Sequence, residues 1–445
     1  DITSDEAKRI AKDRRKVLEA ELKKARDPDY ERKHPTMGAG VWEPYRGGAD
    51  AEVPEVTTAV PKKKLAELLR ATTRVPEGFH VHPKLENSLL EARRKMADGD
   101  ERLDWSAGEA LAFATLVVEG HSVRLSGQDS ERGTFSHRHA VLHDHENGET
   151  YAPLAHLSDT QKPFEVWDSP LSEVACVGYE FGFSLDSPDW LVLWEAQFGD
   201  FSNAAQVITD QFISSSEDKW NRLSGLGLLL PHGFEGMGPE HSSARLERFL
   251  TLCAEDNMQV VNLTTPAQIF HCLRRQVLRP LRKPLVVMSP KSLLRHPDAK
   301  SSLEDLSEGE FQRVIPDTTL EDPEKVRRIL LCSGKVYYDL AAARAEREIR
   351  DIAIVRLEQY YPLSRDLLEA ALDPYPNGTP VVWVQEEPRN MGAWVYLRIH
   401  LGHQLFDRWP FEEGITRQES ASPATGSATA HKHEQKELID RALGD

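Results

Sequence analysis

Four segments carry side chains whose types and spacing could do chemistry. The densest is Ser136-His-Arg-His-Ala-Val-Leu-His-Asp-His145, which crowds His137, His139, His143, His145 and Asp144 into one short run. Imidazoles beside a carboxylate make a legitimate zinc set. However, His139-x3-His143-Asp-His145 does not follow the usual metallo-hydrolase order, and Arg132 and Arg138 alongside favour an anionic ligand over a cation. The run is expected to be a hydrogen-bonded or anion-binding loop with no metal.

In Trp167-Asp-Ser-Pro-Leu-Ser-Glu-Val-Ala-Cys-Val-Gly178, Ser169 is placed to cap a helix whose first residue is Pro170. Glu173 then falls in the first turn among Leu171, Val174, Ala175 and Val177. Burial among such neighbours raises a carboxyl pKa and suits it to share a proton with a weakly basic partner. The bland alternative is a surface acid that complements the helix dipole. The third segment is Leu193-Trp-Glu-Ala-Gln-Phe-Gly-Asp-Phe201, where Phe198 and Phe201 could wall a slot for a flat ring, although aromatic residues three apart more often belong to a core. The fourth is Leu230-Pro-His-Gly-Phe-Glu-Gly-Met-Gly-Pro-Glu-His241. Its glycines and prolines make a loop after a strand, which brings His232 or His241 to the carboxyl end of a sheet, where open α/β sheets bind ligands.

The elements that must position these residues follow an α/β grammar. Strands are expected at 123–126, 191–194, 227–230, 259–263 and 284–288, with helices at 170–185, 203–214, 242–256 and 266–278. Near-continuous apolar strands imply a parallel sheet covered on both faces. Residues 289–324 read as a linker, and the grammar then restarts with strands at 328–332, 352–356 and 380–384 and helices at 336–348 and 365–372. Residues 5–26 have helix-forming composition, and 28–61 is Gly- and Pro-rich and reads as an extended arm. The expected organisation is a helical and extended arm over 1–99, an α/β domain over 100–290, a linker over 291–324 and a smaller α/β domain over 325–445.

The whole chain has 445 residues and a net charge of −17, so neither nucleic acid nor an anionic membrane surface is an expected partner. Its 4 cysteines lie far apart, which fits a reducing compartment. No run is long enough for a membrane span, and the first 26 residues are charged rather than a signal peptide. Because it begins at Asp1, the chain is expected to be a processed product or a piece of something longer. A dinucleotide fingerprint, a P-loop and a Gly-x-Ser-x-Gly elbow are all absent from the sequence.

Longer strings are more specific. Leu-Ser-Gly-Gln-Asp at 125–129, Arg-Gly-Thr-Phe-Ser-His-Arg-His-Ala-Val-Leu at 132–142, Glu-Ala-Gln-Phe-Gly-Asp-Phe at 195–201 and Gly-Pro-Glu-His-Ser-Ser-Ala-Arg-Leu-Glu-Arg at 238–248 resemble one family. So do Met-Ser-Pro-Lys-Ser-Leu-Leu-Arg-His-Pro at 288–297 and Ser-Gly-Lys-Val-Tyr-Tyr-Asp-Leu at 333–340. The family is the thiamine-diphosphate-dependent first component of the 2-oxoglutarate dehydrogenase complex, matched from about residue 75 onward over its pyrimidine-binding and C-terminal domains. The resemblance implies two consecutive, mostly parallel three-layer α/β domains: a thiamine-diphosphate-binding fold and a transketolase C-terminal-like domain. It makes Glu173 the partner of an aminopyrimidine ring nitrogen, with Leu171, Phe198 and Phe201 around that ring. His241 and His232 would act in proton or succinyl transfer, and Arg132, His137, His139, Gln128 and Asp129 would belong to a substrate-side loop.

The family holds diphosphate and Mg2+ through a Gly-Asp-Gly motif, which this sequence does not contain, so those ligands are expected outside the chain. Implied partners are a second copy in a homodimer, the missing diphosphate-binding domain, and the dihydrolipoyl succinyltransferase and dihydrolipoyl dehydrogenase components. A bacterial cytoplasmic source is expected over a mitochondrial matrix one. The alternatives are a β-type subunit of another 2-oxoacid dehydrogenase, a catalytically silent fragment or assembly module, and, last, a zinc hydrolase. Substrate choice between 2-oxoglutarate and 2-oxoadipate is not legible.

Overall fold

The computed structural model describes residues 2–30, 38–411 and 413–444; the part of the expected arm at 31–37 lies outside them. Strands β1 (Val123–Gly127), β4 (Phe164–Asp168), β5 (Leu191–Glu195), β6 (Gly227–Pro231), β7 (Gln259–Val261) and β8 (Leu285–Ser289) run parallel in one sheet, while β2 (Leu142–His143) and β3 (Thr150–Tyr151) form a separate two-stranded ribbon. Strands β9 (Val314–Ile315), β10 (Arg328–Cys332), β11 (Ile352–Leu357), β13 (Val381–Pro388) and β16 (Glu413–Arg417) form a second sheet in the order β16-β13-β10-β11-β9. Between them in sequence, β12 (Gln359–Tyr361) crosses back to pair antiparallel with β7, and β14 (Gln404–Leu405) pairs with β15 (Trp409–Pro410). The first sheet therefore has the order β12-β7-β8-β6-β5-β1-β4.

Strand side chains alternate between faces, and both faces of the first sheet are apolar. Val192, Trp194, Leu228, Leu230, Val286 and Met288 pack with Cys176, Val177 and Phe181 of helix Glu173–Asp186 and with Leu246 and Phe249 of helix Leu246–Leu252. Leu191, Leu193, Leu229, Leu285 and Val287 face the opposite way, toward helices Trp105–Val118 and Pro266–Leu278. The result is three layers. The second sheet repeats the scheme: Ile329, Leu331, Val355 and Trp383 extend the first core, and Leu330, Ile354 and Val382 meet Leu438 and Ile439 of the C-terminal helix Ala428–Leu443.

Several local expectations are corrected. The helix holding Glu173 starts at Glu173 with Ser172 before it, not at Pro170, because the Ser169 amide donates to Gly127 O at 2.8 Å and so prolongs the pairing of β4 with β1. The expected helix at 242–256 is α-helical only over Leu246–Leu252. Within 289–324, helix Leu303–Ser307 packs through Leu303 and Leu306 into the core on the other face of the first sheet, the one that holds helices Trp105–Val118 and Pro266–Leu278, and β9 joins the second sheet. Helix Lys62–Ala71 likewise buries Leu65, Leu68 and Leu69 in that core. The arm itself is tied down: Trp42 Nε1 donates to Leu185 O at 2.8 Å, and Asp50 and Glu55 meet Arg275, Arg279 and Arg313. Helix Ser4–Ala25 has no buried residue. Among the described residues no helix is long and apolar enough to cross a membrane.

Candidate active site

Parallel pairing puts the carboxyl ends of β1, β5, β6 and β8 on one edge, with Gly127 level with Glu195, and Pro231 with Ser289. Every candidate that follows those strands therefore arrives at the same rim: Gln128 and Asp129 after β1, Phe198 and Phe201 after β5, His232 and His241 after β6. Two glycines make this convergence possible. A Cβ on Gly127, at φ +156°, would stand 2.1 Å from Glu195 O. A Cβ on Gly199 would stand 2.5 Å from both Pro231 O and Ala244 Cβ, so only glycine lets the turn after β5 lie against the loop after β6.

The convergence assembles rings. His241 and Phe198 meet edge to face with centroids 4.4 Å apart, Phe201 lies 5.9 Å from His241 and 5.7 Å from Phe198, and Phe135 adds a fourth ring 5.7 Å from Phe198. All four are partly exposed. Among the described residues neither ring nitrogen of His241 has a hydrogen-bond partner, and its ring contacts are to Phe198 and Phe201. Glu173 opens the helix that packs against residues 199–205, is half-buried, and receives only a long 3.5 Å contact from Gln128 Nε2. Asp129 accepts from Gln197 at 2.9 Å and pairs with Arg132 at 3.1 Å, which ties the β1 and β5 loops together. Leu171 lies just before the Glu173 helix and is exposed.

His232 does not join this group. Its Nδ1 accepts the Ala244 amide at 3.1 Å, so its proton is on Nε2, which donates to Glu387 Oε1 of β13 at 2.9 Å. Both nitrogens are engaged and the ring is buried, so in this arrangement His232 links the two sheets and does not face the rings at the rim. Arg138 is engaged as well. Burial alone would lower its pKa, but Glu109 and Glu195 on either side outweigh burial and raise it well above its ordinary value. With contacts of 2.6–2.9 Å to both carboxylates, this guanidinium is not available to an anionic ligand.

The histidine run is dispersed in the same way. Asp144 accepts the amides of His80, Glu146 and Asn147, which hold its carboxyl down at about 2 against the effect of desolvation. Burial and then Arg138 push His137 well below its ordinary value, and its Nδ1 is buried without a partner. His139, at φ +44°, approaches Ser136 O through Nε2. Among the described residues no group of three or more His, Cys, Asp or Glu side chains is arranged to hold a metal ion. Two further residues stand at the rim to which the sequence reading gave no part in the site: Asp200, read only as part of Gly199-Asp200-Phe201, and Lys291, read only as a basic residue of a conceivable effector site. Only their positions, each a short step past the end of a strand, could have flagged them.

A half-buried carboxylate at a helix start and a set of aromatic rings at the carboxyl rim suit the flat heteroaromatic half of a thiamine cofactor, whereas the Gly-Asp-Gly grip for its diphosphate is absent from the sequence. The transketolase pyrimidine binding domain matches residues 101–297, and the 2-oxoglutarate dehydrogenase C-terminal domain matches residues 300–443. The chain is 52% identical over 407 residues to the 2-oxoglutarate dehydrogenase E1 component of Coxiella burnetii, covering 91% of this chain and 43% of that protein. The corresponding protein of Cupriavidus necator is 53% identical over 390 residues, covering 87% and 41%, and that of Rickettsia conorii 49% over 435 residues, covering 96% and 46%. The chain belongs to the family of the 2-oxoglutarate dehydrogenase E1 component. It spans less than half the length of these relatives.

Proposed function

We propose that this chain supplies the aminopyrimidine half of a thiamine-diphosphate site that decarboxylates 2-oxoglutarate oxidatively and passes the succinyl group to a lipoyl-lysine. The observation that carries the reading is the meeting of Phe198, Phe201 and His241 at the rim, beside the helix that begins at Glu173. When bound, thiamine diphosphate supplies the carbon nucleophile and the electron sink. Glu173 holds a proton against a ring nitrogen of the pyrimidine, and its weak contact with Gln128 leaves its oxygens free for that bond. Phe198 and Phe201 orient the flat ring and exclude water from it. His241 takes up or delivers a proton beside the reacting substrate, and Arg132, Asp129, Gln128, His137 and His139 shape the loop on the substrate side.

The diphosphate and its Mg2+ are held by oxygen ligands outside this chain. Trp167, Leu171, Tyr179, Phe212 and Trp220 are exposed around the Glu173 helix, next to an apolar cavity of about 350 Å3 lined by Phe181, Leu185, Ile208, Phe212 and Trp220. Such a surface fits a subunit interface, and a homodimer is the expected assembly. The succinyltransferase and dihydrolipoyl dehydrogenase components are the expected partners, in a bacterial cytoplasm. The test is 2-oxoglutarate decarboxylation with an artificial electron acceptor, thiamine diphosphate and Mg2+, on this chain alone and on a polypeptide extended at its N-terminus. Activity in the extended form alone supports the split site. Full activity of the isolated chain contradicts the missing diphosphate grip, and no activity in either form contradicts the reaction.

A further inference from the structure

Asp200 and Lys291 approach one peptide group from opposite ends. Lys291 Nζ donates to His241 O at 2.7 Å, and the amide of the same peptide, Ser242 N–H, donates to Asp200 Oδ1 at 3.3 Å. Asp200 Oδ1 also accepts the Ser243 amide at 3.2 Å. The charges match the peptide dipole, with the ammonium on the carbonyl and the carboxylate on the amide.

Neither charge is placed where stability alone would put it. Lys291 is only 5% exposed, and among the described residues no carboxylate lies within ion-pair reach of its ammonium. Asp200 Oδ2 is buried without a partner. Buried charges so incompletely paired are costly, and their retention calls for an explanation. Burial lowers the Lys291 pKa and raises that of Asp200, in keeping with that cost. Both residues follow strand ends, Asp200 after β5 and Lys291 after β8, so the rigid sheet fixes them and they in turn fix the loop after β6.

We propose that Asp200 and Lys291 are positioning residues that clamp the His241–Ser242 peptide and thereby hold the His241 ring against Phe198. The proposal rests on the reading of His241 as the site histidine. It extends that reading by assigning the buried pair to the orientation of the imidazole rather than to contact with substrate. Other loop contacts, such as Ser242 Oγ to Gly238 O at 2.7 Å and Gly233 N to Ser242 O at 2.9 Å, set the course of the chain but leave the His241 carbonyl to Lys291.

The test uses the full-length polypeptide that contains this chain, with Asp200→Ala, Lys291→Met and the conservative Asp200→Asn. The first readout is the set of ring resonances of His241 in histidine-labelled protein, assigned by His241→Ala; the nearby Phe198 ring shifts them by its ring current. The second is kcat against KM for 2-oxoglutarate. Asp200→Ala and Lys291→Met should each move the His241 resonances toward those of an unconstrained histidine and lower kcat about a hundredfold, with KM changed less than about threefold. Asp200→Asn, which keeps an acceptor, should recover part of both. Unmoved resonances in a folded variant that retains its kcat overturn the clamp while leaving the reaction intact. Resonances that move in a protein that never decarboxylates 2-oxoglutarate support the clamp and overturn the reaction. If one variant fails to fold, the other decides, because each removes a different end of the same clamp.

Discussion

His232 of the loop after β6 and Glu387 of β13 are joined at 2.9 Å with the proton on His232 Nε2, so a buried neutral imidazole ties the first sheet to the second. The same boundary is crossed by Thr264, whose amide donates to Glu358 at 2.8 Å, and by Tyr338, whose hydroxyl donates to Thr264 O at 2.7 Å. The site rim and the C-terminal domain are therefore joined by several buried hydrogen bonds.

His232→Ala should destabilise the protein by about 1.5–3 kcal/mol, the range for a lost hydrogen bond to a charged group. His232→Gln, which keeps a donor, should recover part of that. Urea denaturation measures both. Turnover per folded molecule should stay within a few-fold of wild type at low temperature, and a loss of several hundredfold in a fully folded variant would return His232 to the chemistry.

Arg138→Met should be among the most damaging single changes, about 3–5 kcal/mol, because it leaves Glu109 and Glu195 buried without their shared cation. Burial already pushes the Glu195 carboxyl up, against the pull of Arg138. Without that pull its folded-state pKa rises further, so the penalty should be full at high pH and shrink as the pH falls and Glu195 takes up a proton. Thermal melts of wild type and variant at several pH values read the difference directly.

Glu55 gives a pH dependence of the opposite sign. Desolvation raises its carboxyl, but Arg275, Arg313 and Arg279 outweigh this and bring it down to about 2. A folded-state pKa below the unfolded one contributes stability that is present above the unfolded value, about 4.3, and is lost as the pH falls through about 2. Wild type should therefore exceed Glu55→Gln in urea resistance at pH 6, and the gap should close between about pH 4.3 and pH 2. Glu55 is half-exposed, so the gap should be modest and should narrow with added salt. A gap that widens on acidification would contradict the arm's docking through this carboxylate.

What was legible in the sequence follows from what each element buries. The inner strands β5, β6 and β8 could be read because both of their faces are apolar, and β1 because Val123 and Leu125 bury one face although Arg124 and Ser126 occupy the other. Strand β4 escaped because it is an edge strand whose burial fades from Phe164 to an exposed Asp168, so it has no apolar run. Phe198, Phe201 and His241 could be picked out because each lies in a loop just after a readable strand. The partners that define roles could not: Glu387 lies 155 residues from His232, and Arg138 finds Glu109 29 residues before it and Glu195 57 residues after it. Spacing along the chain encodes helices and strands, whereas charge pairing across the fold is set by which strand ends the parallel sheet brings level.

The most direct test of the account is the Glu173→Gln variant in the full-length polypeptide, assayed for 2-oxoglutarate decarboxylation at saturating thiamine diphosphate and Mg2+. Glutamine preserves size and hydrogen bonding but cannot share a proton as the carboxyl does. The expected result is a fall in kcat of about a hundredfold or more in a protein with wild-type stability. Retention of kcat within a few-fold of wild type would contradict the assignment of Glu173, and with it the claim that this chain carries the aminopyrimidine half of the site.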